Sequence, residues 1–260
     1  CVGNIYIGGT GKTSLCIKIN EILNKNEIKS CFVKKFYKDQ IDEQKLLKSR
    51  GKLFLSSKRI KAINQAENEG YDVAILDDGL QDYSINCNVS FVCFNNINWV
   101  GNGLTIPAGP LRDDIKKLKQ YDHLFLNGNM ENLESIKKEI IIINPKINIH
   151  IGRYEPLNLN QFDKRDKYLV FSGIGNHKTF LSMIRGNGLN IAKDLEFPDH
   201  YDYTNNEIKE ILNQAKDLNC KIITTEKDYL RIKNSKTDQI KFIKSELKIF
   251  DEDKLIKTII

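Results

Sequence analysis

Several features that would settle the class of this chain early are missing from it. No apolar run approaches the roughly 20 residues a membrane-spanning helix requires; the longest, such as Ile140–Ile143, are strand-sized. None of the six cysteines forms a C-x-x-C pair and most lie in apolar segments. The expectation is buried, reduced thiols in a cytosolic protein rather than a disulfide framework. The four histidines, His123, His150, His177 and His200, show no metal-ligand spacing. Aromatic residues are not interleaved with a basic stripe, which speaks against nucleic acid as a partner. Solenoid-type repeats and low-complexity stretches are absent. An initiator Met is absent too: the chain opens at Cys1 and runs straight into a strand. It is read as a fragment lacking its native N-terminus, with a targeting or membrane-anchoring segment among what was lost.

What is present is a globular composition. The 260 residues are 40% apolar and 28% charged, enough for one large domain or two small ones with a buried core. The formal net charge of +6 suits an acidic partner such as a nucleotide or a phospholipid surface without choosing between them. Strand-like and helix-like segments alternate. Val2–Ile7, Ser30–Val33, Asp72–Leu76, Val89–Phe94 and His123–Leu126 read as strands; Thr13–Leu23, Asp42–Lys48 and Lys58–Asn68 read as helices. That order predicts an α/β fold of P-loop NTPase type, a mainly parallel sheet flanked by helices, with a second, smaller α/β domain. We place the first domain at 1–150, a linker at 151–165 and the smaller domain at 166–239. Residues 240–260 are expected to form a strand and helix returning to the linker.

The strongest local signal is Gly8-Gly9-Thr10-Gly11-Lys12-Thr13 between a predicted strand and a predicted helix. Glycines let the backbone turn its amides toward phosphate oxygens, and the helix adds its partial positive end. With Tyr6 and Ile7 just before it, this segment is the candidate nucleotide-binding loop. Lys12 is expected at the β- and γ-phosphates and Thr13 as a hydroxyl ligand of Mg²⁺. The strict pattern wants a glycine where Tyr6 stands. The second signal is the apolar strand ending in Asp77-Asp78-Gly79-Leu80-Gln81, which places acids beside the loop in the manner of a Walker B site. Together they point to Mg-ATP. Gly173-Ile174-Gly175 lacks the third glycine of a dinucleotide fingerprint, since position 178 is Lys.

Further segments carry a resemblance. Val2-Gly3-Asn4 with Gly8–Thr13, Asp77–Gln81, Gly101-Asn102-Gly103 with Pro107–Asp113, Ser172–Gly175, Phe197–Tyr201 and Thr224–Asp228 follow one another as in the tetraacyldisaccharide 4′-kinases of lipid A synthesis, which this chain resembles over nearly its whole length. The resemblance implies transfer of the ATP γ-phosphate to the 4′-hydroxyl of a tetraacyl glucosamine disaccharide 1-phosphate. It implies peripheral work at the cytoplasmic face of a bacterial inner membrane, and a monomer is expected. Carried over by motif, Asp42 is the proposed base, His200 its partner and Lys12 the third catalytic group. Asp113 joins Thr13, Asp77 and Asp78 at the metal; Tyr37, Arg59, Gln81 and Arg112 contact substrate. Since His200 falls in the smaller domain, the active site is expected in a cleft that closes.

Departures from the family pattern are visible. Asp113 stands where the family has Glu, Asp82 where it often has His, Lys34-Lys35-Phe36 before Tyr37 where it has Ser-Arg-Gly, and Ile41 where it has Gly before the base. A P-loop kinase of another small molecule and a non-catalytic nucleotide-binding module are the alternatives.

Overall fold

The computed structural model describes the chain apart from residues 38–39 and 233–237 and the side chain of Asp42. Two compact units emerge, Cys1–Arg153 together with Leu247–Ile260, and Tyr154–Glu246. The first is built from β1 (Val2–Gly3), α1 (Lys12–Lys25), β2 (Ser30–Lys35), α2 (Ile41–Arg50), β3 (Leu53–Ser56), α3 (Arg59–Asn68), β4 (Val73–Asp77), β5 (Phe91–Asn95), β6 (His123–Asn127), α4 (Leu133–Ile143) and the start of β7 (Asn148–Pro156). The second holds β8 (Lys167–Ser172), α5 (His177–Gly186), β9 (Asn190–Glu196), α6 (Asn205–Asp217), β10 (Lys221–Thr225), α7 (Glu226–Arg231) and β11 (Ile240–Ile243). The chain ends in β12 (Ser245–Ile249) and α8 (Glu252–Ile259).

The larger sheet has the order β12-β7-β6-β5-β1-β4-β2-β3, and its pairings from β7 across to β3 are parallel. Its middle strands are apolar at nearly every position because helices cover both faces; all five residues of β5 are buried. Helix α1 turns Leu15, Cys16, Ile19, Ile22 and Leu23 inward, the 3.6-residue spacing of a half-buried helix. The order places β1 between β4 and β5, so the loop leaving β1 and the acids ending β4 share one edge of the sheet. The smaller sheet is β11-β10-β8-β9, again parallel. Its helix α6 starts on a capping box of Thr204 and Glu207.

The strand expected over Val2–Ile7 is a sheet strand at Val2–Gly3 alone; beyond it the Asn4 side chain hydrogen-bonds the following loop and Tyr6 makes an isolated bridge to Leu111. Ile140–Ile143 forms the last turn of α4, where Ile140 is buried and Ile142 faces solvent. The strand β7 is nine residues long and runs into the stretch expected as linker. All six cysteines are free, Cys16, Cys31 and Cys93 buried and the others half-buried.

Candidate active site

The loop after β1 is braced from two sides. Gly8 and Gly11 lie in the left-handed region at φ 98° and 81°, a conformation glycine adopts without a Cβ penalty, and Gly11 caps α1. Buried Asn4 donates to Thr10 Oγ1 at 2.8 Å, and Gln81 donates to the Asn4 carbonyl at 2.8 Å. From the other side Asn127 donates to the Thr10 carbonyl at 2.7 Å, and Asn95 donates to Asn127 Oδ1 at 2.9 Å. Asn95 and Asn127 are register partners on β5 and β6. Not every amide of the segment is directed at a phosphate: the Ile7 N–H donates to the Pro110 carbonyl at 2.8 Å and the Thr10 N–H to that of Gly8 at 2.9 Å. Tyr6 bridges Leu111, and Gly9 lies half-buried between them and the helix.

The two acids differ sharply in surroundings. Asp77 is wholly buried at the end of β4 and accepts from Thr13 Oγ1 at 3.4 Å. Lys34, itself buried, sits 2.7 Å from Asp77 Oδ2 and 2.7 Å from Glu43 Oε2. Burial opposes the Lys34 charge, but Asp77 and then Glu43 outweigh it and hold the ammonium above the ordinary lysine range. Burial, with Asp77 beside it, pushes the Cys16 thiol well up. Asp78 takes a left-handed backbone at φ 56° and lies near the surface, with Lys12 Nζ at 3.7 Å and Arg112 Nη1 at 3.2 Å. Burial works to raise its carboxyl; Lys12 and then Arg112 outweigh burial and keep it below the usual carboxylate range. A threonine hydroxyl and two carboxylates are hard oxygen donors, the set that suits Mg²⁺ completed by water and phosphate. Asp113 pairs with Lys117 at 2.6 Å, one helical turn on, and among the described residues no three His, Cys, Asp or Glu side chains converge as a metal site.

Beside Asp78 opens a polar cavity of about 350 Å³ lined by Lys35, Tyr37, Arg59, Asp78, Gln81, Asp82 and Arg112. It gathers Tyr37, Arg59, Gln81 and Arg112 with two acids, Asp78 and Asp82. Arg59, at the start of α3 and only 6% exposed, donates to the Asp78 carbonyl and pairs with Asp82 at 3.2 Å. Asp82, in the position where the resembled family often has His, is therefore an ion-pair partner of a cavity arginine. The Ser84 hydroxyl and then Arg59 hold its carboxyl below the ordinary range. Lys35 and Asp82 were not expected in this cavity; Lys34, Glu43, Asn95 and Asn127 were not expected beneath the site.

Asp42 lies in the first turn of α2, and its side chain is outside the described residues. His200 belongs to the second unit, with φ 62°. Its N–H donates to the Gly173 carbonyl at 3.1 Å, and its ring Nδ1 lies 3.4 Å from Arg231 Nη2. Arg231 also donates to the Gly173 carbonyl at 2.7 Å and pairs with Asp228 at 3.1 Å. Asp228, fully buried, accepts from the Gly173 N–H at 3.0 Å, Tyr203 Oη at 3.0 Å and Thr225 Oγ1 at 2.6 Å. The Ser172–Gly175 and Thr224–Asp228 segments are thus joined through one carboxylate, and Phe197–Tyr201 joins them through His200, at the Gly173 carbonyl and Arg231.

A family model described as tetraacyldisaccharide-1-P 4′-kinase matches residues 38–260. The tetraacyldisaccharide 4′-kinase of Pelagibacter ubique is 59% identical over 260 residues, covering 100% of this chain and 83% of that protein. The enzyme of the same name from Rickettsia akari is 33% identical, over 98% of this chain and 82% of its own. In structure, the crystal form of LpxK from Aquifex aeolicus in complex with ATP shares the fold, with a TM-score of 0.65 at 22% identity over 99% of this chain and 86% of that one. With the phosphate loop and its acids on one sheet edge, and matches of this extent on both sides of it, the chain belongs to the tetraacyldisaccharide-1-P 4′-kinase family.

Proposed function

We propose that this kinase transfers the γ-phosphate of ATP to the 4′-hydroxyl of a tetraacyl glucosamine disaccharide 1-phosphate. The observation that carries the reading is the convergence of Lys12, Thr13, Asp77, Asp78 and Arg112 at the carboxyl edge of β1 and β4. The loop amides and Lys12 hold the triphosphate. Thr13, Asp77 and Asp78 are the groups that would hold Mg²⁺. When bound, the ion supplies charge neutralisation across the β- and γ-phosphate oxygens. Arg112 and Arg59 offer guanidinium groups on the cavity wall, where charge spreading over the transferring phosphoryl is stabilised. Asp42 is assigned as the base that orients the sugar hydroxyl and accepts its proton late in transfer, with His200 as its imidazole partner. Gln81 and Tyr37 position the acceptor.

Acyl chains hold such an acceptor in a bilayer, so the chain meets a membrane surface peripherally, at the cytoplasmic face where ATP is available, and acts as a monomer. Among the described residues no helix is long and apolar enough to cross a membrane.

The test is transfer of label from γ-labelled ATP to the acylated disaccharide 1-phosphate, compared with water-soluble sugars, for the wild type, Lys12→Ala and Asp42→Ala. Lipid-specific transfer by the wild type and its loss in both variants is expected. Transfer to soluble sugars alone, or normal transfer by Lys12→Ala, overturns the proposal.

A further inference from the structure

The buried ion pair beneath the acids reaches beyond the metal-binding edge. Lys34 and Asp77 are register partners on the adjacent parallel strands β2 and β4. The Lys34 ammonium is shared equally, 2.7 Å to Asp77 and 2.7 Å to Glu43. Asp77 in turn takes the Thr13 hydroxyl, so one side is tied to the phosphate loop. The other side is tied to α2, because Glu43 follows Asp42 directly in its first turn. Gln40 makes no side-chain cap at the start of α2; Glu43 anchors that turn to Lys34, beside the Gln44 bond to the Tyr37 carbonyl at 2.8 Å. A lysine side chain only 2% exposed is held by its partners rather than by water. The geometry of the Glu43–Lys34–Asp77 chain is therefore fixed more tightly than a surface bridge would be.

We infer that Lys34 is a positioning residue for phosphoryl transfer: through Glu43 it yokes the helix turn that carries Asp42 to the strand end that carries the metal-binding acids. The inference rests on the reading of Asp42 as the base. Lys34 does not touch the substrate. It sets the distance between the group that receives the acceptor's proton and the edge that holds the triphosphate, where displacement of about 1 Å costs on the order of a hundredfold in rate.

The decisive variant is Glu43→Gln, nearly isosteric and on a side chain 20% exposed, which leaves the Lys34–Asp77 pair in place. Steady-state transfer from ATP to the acylated disaccharide is measured for it beside the wild type, with a thermal melt of each. The expected result is a kcat lowered fivefold or more, with KM for ATP and the half-saturating Mg²⁺ concentration within twofold of wild type at a temperature where both are folded. A kcat lowered less than fivefold, or a loss that appears in KM for ATP, overturns the inference. Lys34→Met strands Asp77 and is the variant at risk of not folding; where it folds, the same loss in kcat is expected, and wild-type kcat overturns the inference. If the wild type transfers nothing to the lipid, it is the proposed function that fails, and the two failures are told apart in the same assay.

Discussion

Replacing Asp228 by Ala removes the acceptor of four side-chain and main-chain donors at once: Gly173 N–H, Tyr203 Oη, Thr225 Oγ1 and the Arg231 guanidinium. Arg231, whose side chain is only 9% exposed, loses its carboxylate, and breaking a buried pair by deleting one partner costs about 3–5 kcal/mol. Stranded hydroxyl and amide donors add to that at about 1–3 kcal/mol each where water cannot reach them. Taking only the ion-pair figure, a unit the size of Tyr154–Glu246 has its melting midpoint lowered by at least about 12 °C, at about 4–8 °C per kcal/mol. Scanning calorimetry gives the midpoint, and hydrogen exchange at the Leu169–Phe171 amides of β8 identifies the unit that has loosened, with Ile75–Asp77 of β4 as the internal reference. A shift below about 4 °C, or loss of protection in β4 rather than β8, refutes the reasoning that this carboxylate holds the second unit's loops together.

Three further outcomes follow from the geometry. His150, 1% exposed and 3.2 Å from His123, has its pKa lowered to about 4 by burial, then by His123 and Lys254. The folded value lies below the unfolded one, so stability is whole above about pH 6.5 and is lost as pH falls through about 4; the loss is about 3 kcal/mol. His150→Phe should flatten that loss in urea unfolding curves taken between these pH values, and an unchanged slope would count against it. Asn127→Leu removes the bond to the Thr10 carbonyl and the acceptor of Asn95. At about 1–3 kcal/mol it should raise KM for ATP by roughly five- to a hundredfold, read from ATP titrations at saturating acceptor; an unaltered KM contradicts the brace. Asp78→Asn removes the acid that faces Lys12 and Arg112. The Mg²⁺ concentration for half-maximal turnover should rise at least about tenfold, and an unshifted Mg²⁺ titration would remove Asp78 from the metal site.

The parts of this molecule legible in its sequence are those written locally. A glycine turn between strand and helix, and an apolar strand ending in two acids, need no knowledge of what lies beside them, and both occur where expected. The parallel α/β fold follows from alternation alone. What could not be read depends on sheet order: Lys34 meets Asp77, and Asn95 meets Asn127, as cross-strand neighbours, and nothing local says that β2 lies beside β4. The strand β2 turns Lys34 inward and Lys35 toward the cavity, the alternation of a pleated strand. Asp113, expected at the metal from its motif, also pairs with Lys117, a contact that its motif did not signal.

The amide clasp that Asn4 and Asn127 close on Thr10 bears on the timing of turnover. A cradle held in shape by its own scaffold does not have to be organised by each incoming nucleotide, so little of the capture energy is spent on ordering it. Nor need it collapse when the spent nucleotide departs. The waiting time between cycles should then reflect departure of products and arrival of the lipid, rather than any rebuilding of the pocket that grips the triphosphate.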